Sequence, residues 1–412
     1  MATTTPFLDE RGLTVWNTDA RRLPDLVAAD GVDALVTDPP YELALGSTGV
    51  SARWDSTGIA FDPAFWASLL PVMKPGAFAF VFGSPRTWHR LACAMEDAGW
   101  RLRDQIAWLY SSGMPKGEWG DHAVDRTLGH RDGRVSRARG CDTFSRARVH
   151  TESYRPQTPE ARAWSGWNPA LKPAWEPILV AQRPRTDTLG RTLLEHGTGA
   201  LNAGAGAIGA DMRELAARWE RNARLREGAP RGGDTLRSCP PVRSAAPAVA
   251  GRHPSDVAMD ADAAALLPAE APAFYYCPKA GPGERPHIPA TPLAAPRTRD
   301  KAWETACARL GLRPDADTYP ALLLDDATLA LTRDAGVMSL AHPTVKPVDL
   351  ISWLVRLSTR TGGLVMDPFC GSGTIVEACA RENRRLAGTE LETGYLPLIR
   401  RRAERPVEPA LL

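Results

Sequence analysis

Hydrophobic residues recur with strand and helix periodicity in two regions of the 412-residue chain, one near each end. In the first region, amphipathic stretches of helix length alternate with apolar runs of strand length. The pattern predicts strands at 13–16, 32–37, 77–82 and 103–110, and helices at 21–29, 63–73 and 86–98. Lys74-Pro75-Gly76 predicts the end of the second of these helices. This alternation is typical of an α/β protein with a largely parallel sheet.

The second region has the same character. After His342-Pro343-Thr344-Val345-Lys346-Pro347, the pattern predicts helices at 348–359, 375–381 and 393–402 and strands at 364–366 and 385–389. Between the two regions the periodicity is weak, except for predicted strands at 175–182 and 274–279. Residues 240–273 are rich in alanine and proline, which is a linker composition.

Composition adds an expectation about the compartment. The chain is 43% hydrophobic with a net charge of +2, and its apolar runs are too short to span a bilayer. Its start shows no secretory signal. The seven cysteines include no C-x-x-C pair, which argues against a zinc site and a disulfide framework. We therefore expect a cytoplasmic protein without a structural metal.

Charge is distributed unevenly, although the net charge does not indicate a nucleic-acid partner. Between Arg126 and Arg162 there are nine arginines against four acids, a local balance of 9 − 4 = +5. Aromatic residues lie in or next to this segment: Phe144, Tyr154, Trp164 and Trp167. Arginine with aromatic side chains suits contact with phosphates and bases. A solvated charged loop is the simpler interpretation of the charge alone.

The first candidate site is Asp38-Pro39-Pro40-Tyr41, which follows the predicted strand 32–37. Proline has no N–H and keeps the chain extended, so the Pro39 carbonyl can face a ligand beside the Asp38 carboxylate. Two acceptors next to a ring suit a planar base with an exocyclic amine, because the amine donates to both acceptors while the base stacks on Tyr41. For this stretch alone, a surface turn closed by an acid is an equally good interpretation.

The second candidate site is Asp367-Pro368-Phe369-Cys370-Gly371-Ser372-Gly373-Thr374, which joins a predicted strand to a helix. Glycines at such a turn let backbone N–H groups approach a nucleoside ligand. Glu390, 390 − 373 = 17 residues after Gly373, can accept both hydroxyls of a ribose. The turn lacks the G-x-G-x-x-G spacing of dinucleotide sites and the lysine of ATP sites. S-adenosylmethionine fits better, because its sulfonium suits Asp367. Alternatively, Asp367 caps the helix and the glycines only allow close packing.

Together, the Asp38 tetrapeptide, the His342–Pro347 stretch and the Asp367 octapeptide resemble the DNA amino-methyltransferases. The catalytic motif precedes the cofactor motif, as in the β group, which is a circular permutation of the usual order. The resemblance covers about 13–115, 172–183, 274–285 and 336–402. It implies a Rossmann-like, S-adenosylmethionine-dependent methyltransferase fold with a mostly parallel, seven-stranded sheet. We therefore expect a catalytic half at 1–115, a long irregular insertion at 116–335, and a cofactor-binding half at 336–412.

The resemblance also assigns roles to residues. It implies catalysis by Asp38, Pro39, Pro40 and Tyr41. It implies cofactor binding by Asp19, Thr344, Lys346, Asp367, Pro368, Phe369, Gly371, Ser372, Gly373, Thr374 and Glu390. Thr344 and Lys346 correspond to positions that meet the methionine carboxylate, and Asp19 to one near the adenine. Glu42 departs from the asparagine often found after the tyrosine.

The reaction expected from the resemblance is methylation of an exocyclic amine of a flipped base in double-stranded DNA. An aspartate at the start of the tetrapeptide resembles the adenine-N6 enzymes, and cytosine N4 is the alternative. Methylation of RNA or of a protein glutamine, and a non-catalytic DNA-binding protein, remain open. Such an enzyme fits restriction–modification, and a homodimer is possible. The insertion is the candidate target-recognition region, and exchanging Arg126–Trp167 between relatives should change the methylated sequence.

Overall fold

A computed structural model describes residues 5–43, 55–110, 117–130, 154–205, 256–259 and 345–405, together with the backbone of three two-residue strands at 275–276, 287–288 and 340–341. The described strands fall into two sheets. They are β1 (Leu8–Glu10), β2 (Leu13–Asn17), β3 (Val32–Thr37), β4 (Met73–Phe82), β5 (Arg101–Leu109), β6 (Trp175–Gln182), β7 (Val257–Met259), β8 (Tyr275–Tyr276), β9 (His287–Ile288), β10 (Leu340–Ala341), β11 (Leu364–Asp367) and β12 (Arg385–Glu390).

The main sheet has the order β1-β2-β12-β11-β3-β4-β6-β5-β7-β8, and β9 and β10 form a separate pair. From β2 to β4 all neighbours are parallel. Strand β6 is antiparallel to both β4 and β5. The seven strands from β2 to β5 in this spatial order therefore form a mostly parallel core. Strand β1 extends it at one edge, and β7 and β8 extend it at the other. The expected α/β class is confirmed, whereas the circular permutation stays a prediction.

Helices cover both faces of this sheet. They are α1 (Leu23–Leu26), α2 (Pro63–Leu69), α3 (Trp88–Asp97), α4 (Gly120–Thr127), α5 (Pro159–Arg162), α6 (Leu189–Glu195), α7 (Val348–Ser358), α8 (Thr374–Arg381) and α9 (Leu396–Ala403). One apolar core lies between the sheet and α7, α8 and α9. A second core lies between the opposite face and α1, α2 and α3. Successive strand residues contribute to opposite cores because side chains alternate along a strand.

Three sequence predictions of local structure need correction. The helix predicted at 63–73 ends at Leu69, and Lys74-Pro75-Gly76 lies inside β4 rather than stopping a helix. The pairing of β3 with β4 shifts register just there, and Gly76 takes a positive φ of 78° that accommodates the irregularity. The helix predicted at 21–29 is instead a 3-10 turn at Ala20–Arg22 followed by the single-turn α1.

The predicted insertion is only partly described. The strand predicted at 175–182 is present as β6, which lies inside the core sheet between β4 and β5, and β8, within the strand predicted at 274–279, lies at the sheet edge. Helices α4 and α5 pack together through Asp125, which accepts hydrogen bonds from Tyr154, Thr158 and the Gln157 backbone. Residues 131–153, which hold most of the arginine-rich segment, lie outside the described residues, as do 206–255. The domain boundaries and the target-recognition region therefore stay predictions.

Candidate functional site

The two sequence motifs meet at the carboxyl ends of adjacent parallel strands. Strands β3 and β11 pair in register, with Ala34 opposite Val365, so that Asp38 and Asp367 leave the sheet at the same edge. The residue before the first motif contacts the second motif directly, because the Thr37 hydroxyl donates to Asp367 Oδ1 at 2.6 Å across 330 positions of sequence. Ligands of open α/β sheets bind at this edge. The topology thus brings both candidate sites together.

Among the described residues, only one of the two carboxylate oxygens of Asp38 has a hydrogen-bond partner. Lys346 Nζ donates to Asp38 Oδ2 at 2.6 Å. The other oxygen, Oδ1, is buried and has no hydrogen-bond partner among the described residues. Burial raises the pKa of Asp38 above its usual value, although Lys346 opposes this shift. A buried acceptor without a donor costs stability in a protein, and a catalytic role is one of the reasons why such a group is retained. An amine of a ligand could supply the missing donor.

A second carboxylate, Glu176 on β6, completes this cluster. The hydroxyls of Tyr41 and Tyr110 donate to its two oxygens, at 3.0 and 3.1 Å. Lys346 Nζ lies 3.5 Å from Glu176 Oε2, and thus contacts two carboxylates. Burial lowers the pKa of Lys346, but attraction to Asp38 and Glu176 outweighs burial and the pKa is raised. Sequence reasoning missed Glu176 because it lies in an ordinary strand without a motif.

The predicted cofactor turn is shaped by backbone constraints. Gly371 and Gly373 have positive φ values of 52° and 77°, a region that favours glycine. A Cβ at Gly373 would lie 2.9 Å from the Cα of Ile399, so a side chain cannot be accommodated there. Glu390 supports the turn from β12, since its Oε2 accepts from the Gly371 N–H at 2.7 Å and its Oε1 from the Glu392 N–H at 2.8 Å.

The acids of this turn carry raised pKa values. Burial raises the pKa of Asp367 to about 7, against the hydrogen bonds from Thr37 and from the Phe369 N–H. Burial also raises the pKa of Glu390 to about 8. Near neutral pH both acids are partly protonated, and a cation bound beside them would favour their ionised forms. Thr37, as the residue that holds Asp367, is a further contact that the sequence patterns did not indicate.

The remaining members of the octapeptide lie within the same turn. The Phe369 ring packs against that of Phe65, with ring centroids 5.7 Å apart. The Pro368 carbonyl accepts from the Thr389 hydroxyl at 2.7 Å. The Thr374 hydroxyl lies 3.3 Å from that of Ser372 and 3.4 Å from the Lys346 carbonyl. This last contact joins the turn to the residues that precede α7.

Asp19 and Thr344 differ from the other predicted site residues. Asp19 follows β2, the strand next to β12, and its carboxylate accepts from the Arg21 backbone and pairs with the Arg21 guanidinium. It therefore caps a 3-10 turn, and its predicted role near an adenine stays a prediction. Thr344 lies outside the described residues.

Comparison with known proteins identifies the family. Residues 32–201 and 315–401, more than half of the chain, match the family N6_N4_Mtase, described as DNA methylase. The chain belongs to this DNA methylase family. Both matched ranges include a candidate site, Asp38 in the first and Asp367 in the second. The prediction of an amino-methyltransferase family that uses S-adenosylmethionine is thereby confirmed at the level of the family.

Individual relatives match shorter parts of the chain. The Type II methyltransferase M2.DpnII of Streptococcus pneumoniae is 38% identical over 77 residues, which cover 19% of this chain and 29% of that protein. The Type II methyltransferase M.HindIII of Haemophilus influenzae is 30% identical over 134 residues, which cover 32% of this chain and 34% of that protein. The chain thus matches about a third or less of the length of these curated relatives.

Among solved structures, the PvuII DNA methyltransferase, described as cytosine-N4-specific, has a TM-score of 0.44 and 11% identity to this DNA methylase family member. The alignment covers 97% of this chain and 89% of that one. In the part of the chain that the structure describes, no helix is long and apolar enough to cross a bilayer.

Proposed function

We propose that the chain transfers a methyl group from S-adenosylmethionine to the exocyclic amine of a base in DNA, with adenine N6 as the acceptor. One observation carries this proposal: Asp38 Oδ1, beside the turn that holds Asp367, is a buried acceptor with no hydrogen-bond partner in the part of the chain that the structure describes. An exocyclic amine has two N–H donors, and Asp38 and the adjacent Pro39 carbonyl offer two acceptors. Membership of the DNA methylase family supports the same reaction.

The chemistry of the turn fits S-adenosylmethionine. Asp367 and Glu390 are buried acids suited to a positively charged sulfur and to ribose hydroxyls, and Lys346 is a buried cation suited to a carboxylate. Gly371 and Gly373 supply the positive φ values that this turn needs, and Gly373 also allows close packing against the Ile399 backbone. When bound, the cofactor supplies an electrophilic methyl group on a cationic sulfur. We propose Phe369, Ser372, Thr374, Asp19 and Thr344 as further contacts of the cofactor.

The residues of the chain act on the acceptor by position and charge. The target amine is a poor nucleophile because its lone pair is delocalised into the ring. Hydrogen bonds to Asp38 and to the Pro39 carbonyl favour a tetrahedral nitrogen, whose lone pair can then face the methyl group. The negative charge of Asp38 stabilises the positive charge that develops on nitrogen. Pro40 keeps the tetrapeptide extended, and the ring of Tyr41 offers a stacking surface.

The substrate proposed is double-stranded DNA with the target base flipped out, because the amine is inaccessible to an enzyme within the base stack. Adenine is favoured over cytosine by the aspartate at position 38, and cytosine N4 is the alternative. Residues 116–335 are proposed to hold the target-recognition region. In keeping with the Type II relatives, we propose a role in restriction–modification. The expected homodimer and cytoplasmic location remain part of this proposal.

The test is direct measurement of modified bases. DNA from cells that express the chain is digested to nucleosides and analysed by mass spectrometry, with cells that express Asp38→Ala as the control. We expect N6-methyladenine that is absent from the control. N4-methylcytosine instead would keep the mechanism and change the acceptor. Neither product, from protein that still binds S-adenosylmethionine, would contradict a DNA methyltransferase.

A further inference from the structure

We propose that Glu176 is a positioning residue of the reaction, which shares Lys346 with Asp38 and thereby keeps the charge of Asp38 available to the target amine. The inference rests on the proposed function. It deepens that function by assigning a third charged residue, from β6, to a site otherwise built from β3 and the residues before α7.

The geometry of the shared lysine is the first argument. Lys346 Nζ lies 2.6 Å from Asp38 Oδ2 and 3.5 Å from Glu176 Oε2. The lysine side chain is 8% exposed and that of Glu176 is 14% exposed, so water screens these charges poorly. The ammonium also lies 5.2 Å from the ring centroids of both Tyr41 and Phe82. Lys346 is thus held between two anions and two aromatic faces.

Charge balance is the second argument. A lysine paired with Asp38 alone would neutralise the carboxylate that must attract the amine. With Asp38 and Glu176 both ionised, two carboxylates face one ammonium, and the cluster retains one net negative charge. Burial, and to a smaller extent repulsion from Glu176, raises the pKa of Asp38, and attraction to the shared Lys346, which is stronger than that repulsion, opposes this effect. Burial, with Asp38 and Glu176 nearby, raises the pKa of Tyr41 well above its usual value, so the tyrosine adds no charge. The retained charge favours a nitrogen that becomes positive during methyl transfer.

The third argument is that Glu176 also fixes the tetrapeptide. Its Oε2 accepts from the Tyr41 hydroxyl at 3.0 Å, and the Tyr41 carbonyl accepts from Thr87 at 2.9 Å. Its Oε1 is in turn held by Tyr110 at 3.1 Å. Tyr41, the proposed stacking surface, is therefore restrained at both its ring and its backbone. Loss of such restraint reduces turnover because reactive geometry tolerates little displacement.

The test compares Glu176→Gln with Glu176→Asp. Glutamine can present its carbonyl to Tyr41 and Lys346 and its amide to the Tyr110 hydroxyl, which can accept, so the packing is kept while the charge is lost. We expect kcat for DNA methylation to fall about 10–100-fold. The Kd for S-adenosylmethionine should stay within about threefold, because Lys346 remains cationic. Glu176→Asp shortens the side chain but keeps its charge, so this variant should recover part of kcat.

A matched control and a second readout keep the inference testable. Glu195→Gln makes the same chemical change at an exposed position of α6 and should leave kcat unchanged. A kcat of Glu176→Gln equal to that of the parent would overturn the inference. A loss of cofactor affinity and thermal stability as pronounced as the loss of kcat would also overturn it, because the substitution would then act on the structure in general.

The second readout does not depend on activity. Acetic anhydride labelling of Lys346, followed by mass spectrometry across pH, should show half-labelling at lower pH in Glu176→Gln, since one stabilising anion is gone. An unmoved labelling profile would also overturn the inference. A parent chain that methylates no DNA, with a labelling profile that does shift, would contradict the proposed function and not the role of Glu176 in holding Lys346.

Discussion

Asp38→Asn is expected to lower the rate of DNA methylation by about 10²–10³-fold, and to be at least as damaging as Asp38→Ala. The reason lies in the neighbouring lysine. Lys346 Nζ donates to Asp38 Oδ2 at 2.6 Å, so an asparagine must turn its carbonyl towards the lysine. Its amide N–H₂ then takes the place of Oδ1 and faces the target amine, which places two donors opposite each other.

The measurement is single-turnover methylation of duplex DNA, with binding of S-adenosylmethionine determined in parallel. Asp38→Ala leaves space in which water can accept from the amine, so its residual rate should equal or exceed that of Asp38→Asn. Cofactor affinity should change less than the rate in both variants, because most of the proposed cofactor contacts lie in the Asp367 turn, although Lys346 also contacts Asp38. An asparagine variant with more than a tenth of the parent rate would contradict the role given to Asp38 Oδ1.

The sequence could predict those site residues that lie at the ends of strands. Asp38 and Asp367 each follow a short apolar run, and the rule that parallel strands share their carboxyl edge brings them together without knowledge of the fold. The role of the glycines in the second motif could likewise be predicted, because a positive φ and a close approach to another part of the backbone restrict the position to glycine. The backbone contacts of Gly373 and Glu390 agree with this interpretation.

What sequence could not predict are contacts made by residues in regular elements. Glu176 is one of eight residues of β6, and nothing in its neighbourhood distinguishes it from a strand residue that faces solvent. Its contact with Lys346 depends on the insertion of β6 between β4 and β5, which is a property of the whole sheet. Asp19 shows the opposite difficulty. An aspartate can serve either as a cap of a helical turn or as a ligand contact, so the residue type alone does not say which role Asp19 has.

The same limit explains the misplaced end of the second helix. Lys74-Pro75-Gly76 has the composition of a helix stop, and local chemistry alone favours that interpretation. In the structure these residues belong to β4, where the backbone hydrogen bonds of Gly76 and Ala77 with Arg183 and the core contacts of Met73 and Ala77 outweigh local preference. Tertiary pairing thus decides a boundary that periodicity leaves open.

Asp367→Asn is expected to weaken binding of S-adenosylmethionine by a factor that increases with pH. Asp367 Oδ1 accepts from Thr37 at 2.6 Å and from the Phe369 N–H at 2.9 Å, and an asparagine carbonyl can accept both. The substitution therefore keeps the turn and removes the charge. Because burial, chiefly, raises the pKa of Asp367 to about 7, the ligand-free protein holds a proton there at lower pH.

The sign of the pH effect follows from proton linkage. A cation bound beside Asp367 lowers its pKa, so binding releases a proton below about pH 7, and the affinity of the parent chain rises by up to about tenfold per pH unit towards that value. The variant lacks this gain. Glu390, with a pKa raised to about 8, adds a pH slope to both proteins. Because Asp367 is the smallest of the causes that shift this pKa, the slope largely cancels in the ratio of the two Kd values.

Isothermal titration calorimetry at pH 5.5, 7 and 8 measures this ratio, and Asp25→Asn, at an exposed position of α1, serves as the matched control. We expect the Kd of the variant to exceed that of the parent by less than about threefold at pH 5.5 and by about 10–100-fold at pH 8, since a buried charge acts only when ionised. A ratio that is constant with pH would mean that Asp367 acts through packing alone. The buried acid would then be a structural support of the turn.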